Sequence, residues 1–296
     1  MVNHENTKTK RRATKISLFT ALFLAIMKLM VGILTHSLAI LASAADSFFD
    51  LIVSFGNFLA VKKADSNPTK NFSYGFGKLE GLVGLLQGLF ISISGLVLMG
   101  AGVWKILKGG EVLHFDIAFV VMGGALLITF FLVRFLERVA RETKSLILEA
   151  DATHYKSDVF SNLAVLLGIV VIYFTQQFWI DGLISVLISF LIIRSGYGIL
   201  KKSIFLLLDR EVQPQIRKKI ESVLKKFKKQ KDISGYHFLR TRKSGSVIFV
   251  DVHLVFNKKI LLQRAHEISD QIEEELAEII EDGEILIHLD PVDDSE

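Results

Sequence analysis

Two aspartates four residues apart, Asp46 and Asp50 in LASAADSFFD, stand inside an apolar run that extends from about Ser37 to Val61. At that spacing a helix carries both on one face, one turn apart. A run of this length and apolarity reads as a membrane helix, where a carboxylate near the bilayer centre costs about 2.5–3.5 kcal/mol or more. Two adjacent anions there repel each other unless a cation or protons sit between them. Cation binding is the chemistry to expect, with further ligands drawn from elsewhere in the chain.

A second pair has the same spacing. EADATHYKSDVFSN places His154 and Asp158 four apart in another long run, Leu146–Phe174. One imidazole and three carboxylates make a tetrahedral set suited to a divalent first-row metal. A competing reading satisfies these groups by interhelical hydrogen bonds or by Lys28, an isolated charge in the first apolar run. Another makes His154, Ser157 and Asp158 a hydrolytic triad, but three neighbours on one helix lack the separate elements that aim base, nucleophile and oxyanion donors. No HExxH occurs either, so an intramembrane zinc protease has no support and no enzyme is expected.

The elements that must position these side chains follow from composition. The 296 residues are 51% hydrophobic, and apolar runs fill the first two thirds while the last third is polar and charged. With no cysteine, thiolate ligands and disulfides are excluded, which leaves imidazole and carboxylate chemistry. Six membrane helices are predicted: about Lys15–Leu34, Ser37–Val61, Leu79–Leu107, Ile117–Leu136, Leu146–Phe174 and Trp179–Ile199. The basic head MVNHENTKTKRRATK precedes a first helix too long for a cleaved leader. Gly81, Gly84, Gly88 and Gly95 of the third helix suit close helix packing. Lysines and arginines gather before helix 1, between helices 2 and 3, between 4 and 5, and after 6, so the positive-inside rule predicts cytoplasmic termini.

Beyond Asp209 the pattern changes. PQIRKKIESVLKKFKKQ is amphipathic, Gly235–Thr241 and Ser246–Phe256 alternate as strands about an SG turn, Ile260–Ile280 is a second amphipathic helix, and GEILIHLDP is a short strand. The predicted architecture is a six-helix transmembrane bundle in residues 1–208 and a small cytoplasmic α+β domain, αββαβ, in 209–296. His288 and Asp290, two apart on a strand, share a face.

Taken together, SLAILASAADSFFD, YGFGKLEGL, HYKSDVFSN, FLLLDRE and GYHFLRTRKSG…VDVHLVF…AHEISD…IHLDP resemble the cation diffusion facilitator family, in particular its bacterial zinc and ferrous-iron efflux members. The resemblance spans nearly the whole chain. It implies a transport site at Asp46, Asp50, His154 and Asp158, and a cytoplasmic metal site at His237, His253, His266, His288 and Asp290 in a metallochaperone-like domain. It also implies a homodimer in a bacterial inner membrane that exchanges cytoplasmic metal for protons, with no nucleic-acid partner. Zn(II) is the first choice of ion and Fe(II) the second, with Cd(II) and Co(II) as passengers; the nitrogen ligand disfavours Mn(II) without excluding it and disfavours Mg(II) and Ca(II) more strongly. The rival reading is a membrane-anchored metal sensor or scaffold acting through its cytoplasmic domain. In the loop after helix 2, Phe72 and Phe76 stand where family members often carry histidines, so no metal site is expected there, while Lys78 and Asp209 resemble a charge pair joining the two parts.

Overall fold

The computed structural model describes residues 4–35, 38–108, 117–175, 177, 179–228, 232–280 and 282–292. The chain divides into two compact units, Glu5–Ile204 and Phe205–Glu296. Six long helices precede the second unit's core: α1 (His4–Thr35), α2 (Leu38–Ala64), α3 (Leu79–Lys108), α4 (Ile117–Thr143), α5 (Leu146–Thr175) and α6 (Trp179–Leu207). Four contain stretches long and apolar enough to cross a membrane, namely Asn6–Leu34, Ser43–Ala64, Leu79–Lys108 and Trp179–Leu207. The expected count of six therefore stands at four among the described residues. Helices α4 and α5 are comparably long, 27 and 30 residues, but carry charged segments at Arg134–Glu142 and Glu149–Asp158. Links expected at His36 and in 109–116 lie outside the described residues.

This unit is built inside out relative to a water-soluble bundle. Phe19, Phe49, Val97, Trp104, Phe131 and Phe190 are exposed, whereas Ser17, Ser54, Asn57, Gln87 and Asp151 are buried. Apolar side chains facing outward suit a lipid solvent, and polar ones must then find partners within the bundle. The same logic lengthens α1, which begins about a dozen residues before the predicted start. Thr7, Lys10, Thr14, Ser17 and Ala21 recur at helical spacing as one buried stripe through the basic head. Between α4 and α5 the chain reverses at Lys144, whose φ of +50° is the left-handed conformation common just past a helix end.

The glycines of α3 meet α6. A Cβ added at Gly88 would lie 2.9 Å from both the backbone nitrogen and the Cγ of Leu200, and one at Gly196 would lie 3.0 Å from the backbone nitrogen of Ser92. Backbone atoms cannot swing aside, so Gly88→Leu is expected to separate the helices and destabilise the fold by about 1–3 kcal/mol. A fall in the detergent-solubilised melting temperature checks it.

Helix α6 ends at Leu207, just before Asp209 with its φ of +54°, and the amide of Arg210 donates back to the carbonyl of Phe205 at 2.9 Å. Then follow α7 (Pro214–Phe227), β1 (Ile233–Ser244), β2 (Val247–Phe256), α8 (Leu262–Ile279) and β3 (Gly283–Pro291). Strands β1 and β2 form an antiparallel hairpin through Gly245, and β3 joins β2 in parallel after the α8 crossover. Val250, Val252, Leu254 and Phe256 alternate onto the helix side and pack with Ile220, Leu224, Ile268 and Ile272. The order αββαβ is the expected one. The sheet's other face points away from α7 and α8.

Candidate metal centres

Helices α2 and α5 bring Asp50, His154 and Asp158 together, with one ligand atom from each lying within 4.8 Å of the others. Nε2 of His154 lies 3.1 Å from Oδ1 of Asp50 and 3.9 Å from Oδ2 of Asp158. Ligands about 2.0–2.1 Å from a tetrahedral ion stand roughly 3.3–3.4 Å apart, so these separations bracket what one ion requires. His154 is buried, with its ring edge-on to Phe90, whereas the two carboxylates are partly exposed. The buried Oδ2 of Asp158 has no hydrogen-bond partner among the described residues. A carboxylate oxygen left in that condition fits a cation or a proton between the two helices.

Asp46 stands apart. It is exposed, one turn from Asp50 on α2, and outside the group of converging ligand atoms. Lys28 donates to Ser47 Oγ at 2.8 Å, and Ser157 Oγ bonds carbonyls of its own helix, on His154 at 2.6 Å and Thr153 at 3.2 Å. A hydroxyl committed to its own helix backbone is not poised as a nucleophile.

The second cluster lies on the sheet face that points away from α7 and α8. Strand register sets His237 opposite His253 and His253 opposite His288, so three imidazoles form a row across β1, β2 and β3. Asp290, two residues on from His288, enters the same row. Its Oδ2 lies 2.8 Å from His253 Nδ1 and 3.1 Å from His237 Nε2, and its Oδ1 lies 3.0 Å from His288 Nε2. The hydrogen bond from His253 and the adjacent imidazoles hold its carboxyl below the usual range. A bulge after His237 and Phe238, whose φ is +49°, turns the Phe238 ring against His237 and His253. His266 does not join. It is exposed on α8, 3.6 Å from Asp270, because a helix on the opposite face of the sheet cannot reach this row.

Held below the usual carboxylate range, Asp290 stays ionised as pH falls and keeps its charge available to a metal on this row. Asp290→Ala is expected to weaken zinc binding here by at least about tenfold and His266→Ala to leave it unaltered. Calorimetric titration of the full chain carrying Asp158→Ala would isolate this class of site.

Residues missed by sequence reading complete the bundle. Glu80 serves the start of α5: it accepts from Ser145 Oγ and the Leu146 amide, both at 3.1 Å, and pairs with buried Lys10 at 3.3 Å. Lys10 also pairs with Asp65 at 3.3 Å. The loop after α2 holds Phe72 and Phe76 in contact, with Lys63 over the Phe76 ring.

Comparison with known proteins decides what such a bundle is. Residues 14–208 match the model of the cation efflux transmembrane domain, and 213–292 that of the cation efflux protein cytoplasmic domain. The chain belongs to the cation efflux family. This is the cation diffusion facilitator family of the sequence resemblance, whose members are transporters rather than enzymes. It is 36% identical over 280 residues to the cation-efflux pump FieF of Shewanella oneidensis, covering 95% of this chain and 93% of that one. It is 31% identical over 291 residues to protein p34 of Rickettsia prowazekii, covering 98% and 95%. Among solved structures, the zinc form of CzrB matches at 25% identity over 30% of this chain and 98% of its own, with a TM-score of 0.28, too low to add to the argument. This cation efflux transporter is an integral membrane protein with a helical domain and a C-terminal α+β domain.

Proposed function

We propose that this transporter exports divalent metal, Zn(II) first and Fe(II) second, from the cytoplasm in exchange for protons, through Asp50, His154 and Asp158 with Asp46 as a fourth ligand when its turn of α2 moves inward. The reading rests chiefly on the convergence of these three ligands across α2 and α5 around the unpartnered Asp158 oxygen. Metal and protons compete for the same lone pairs, so a helix bundle that exposes the group to each side in turn couples the two fluxes. Imidazole favours zinc and iron over the harder ions, and the likeness to the cation-efflux pump FieF supports cation export as the activity. In this reading residues 1–208 span the inner membrane six times with both termini cytoplasmic, and 209–296 dimerise the chain and bind cytoplasmic metal at His237, His253, His288 and Asp290. Zinc and ferrous iron uptake into reconstituted vesicles, each measured with and without a protonophore, tests the coupling. Flux that collapses with the gradient supports exchange, and flux indifferent to it contradicts exchange.

A further inference from the structure

Towards the start of α1, one storey below the ligand group, lies a second polar layer that metal binding does not use. Asp151 is fully buried, and its two oxygens accept from different helices: Oδ2 from Ser17 of α1 and Oδ1 from Asn57 of α2, both at 2.8 Å. Asn57 Oδ1 in turn accepts from Gln87 of α3. Ser54 of α2 bonds the hydroxyl of Tyr155 on α5 at 2.7 Å and lies 3.2 Å from Ser17. The register repeats that of the ligand group. Asn57 is seven residues from Asp50, and Asp151 is seven from Asp158, so on antiparallel helices the pair continues the same two faces. Every one of these six side chains is almost wholly buried, whereas Asp50 and Asp158 are partly exposed.

We infer that Asp151 is a positioning residue that locks α5 to α1 and α2 and closes the route to the ligand group from the side of the α1 start, so that this lock must part for cytoplasmic metal to enter. The inference rests on the proposed transport role of Asp50, His154 and Asp158. A buried carboxylate whose bonds run to neutral donors on separate helices is held only while those helices stay together, which suits a bistable joint. Multiple bonds give a single closed register; their rupture frees a carboxylate along the entry path.

The absence of cysteine makes the test clean. A single Ser157→Cys reporter is placed beside the ligand group, where the native hydroxyl bonds the backbone of its own helix. Labelling by a membrane-impermeant thiol reagent is timed separately from each face, in oriented vesicles of the full chain. Asp151→Leu is expected to raise the rate from the face nearer the start of α1 about tenfold and leave the other face unchanged. Asp151→Asn, which can still bond Ser17 and Asn57, should label like the parent. Equal rates in Asp151→Leu and the parent, or a rise from both faces alike, overturns the lock. Labelling reads access rather than flux, so it stands even where the proposed exchange of metal for protons fails.

Discussion

Asp158→Ala is expected to abolish metal transport, by at least about a hundredfold, while leaving the protein no less stable than its parent. In the proposed site Asp158 bonds the ion directly, and the adjacent Ser157, turned to its own backbone, is not placed to replace it. Stability should not fall, because the carboxylate removed is one whose buried oxygen has no hydrogen-bond partner among the described residues and whose charge repels Asp50. His154 keeps its 3.1 Å contact to Asp50. Uptake assays read the first effect and melting in detergent the second. Lost transport with a sharply lowered melting point would instead make Asp158 a structural residue.

Glu80→Ala is expected to do the reverse and cost stability, by about 3–5 kcal/mol, without touching a metal ligand. Lys10 is 1% exposed, and its ammonium has Asp65 and Glu80 as partners. Removing one leaves a buried charge half compensated. The same substitution strips the start of α5 of a carboxylate that accepts from the Leu146 amide, a place where the helix dipole favours negative charge. Glu80→Gln keeps an acceptor and should fall between the two. A melting temperature for Glu80→Ala near that of the parent would show that the pair is dispensable.

How much of this was legible in the sequence differs by residue. The pairs Asp46–Asp50 and His154–Asp158 were legible because ionisable types are conspicuous in apolar runs and their spacing names a face. The αββαβ order was legible because alternation and amphipathic period differ. Asp151 sat in the same quoted stretch as His154 yet passed unnoticed, because its partners Ser17 and Asn57 come from other helices and interhelical register is not written in one chain's spacing. The signal was there in the seven-residue intervals Asp50–Asn57 and Asp151–Asp158. The early start of α1 was hidden for a related reason: Thr7, Lys10 and Thr14 are buried among polar groups, which hydropathy reads as solvent-facing. Helix α4 runs seven residues past its expected end because Glu137 is held by Lys156 of α5 at 2.7 Å, so its charged tail packs rather than frays. His266 was grouped with the other histidines through the family resemblance; strand register assembles those three, and a helix position has no place in that row.

The most direct measurement of the central claim is metal uptake into reconstituted vesicles under an imposed pH gradient, with the parent beside Asp50→Ala. Gradient-driven zinc or iron flux in the parent, lost in the variant while the protein remains folded, is the result predicted. Equal flux in both would contradict a transport site at Asp50, His154 and Asp158 and shift attention to the histidine row of the cytoplasmic domain.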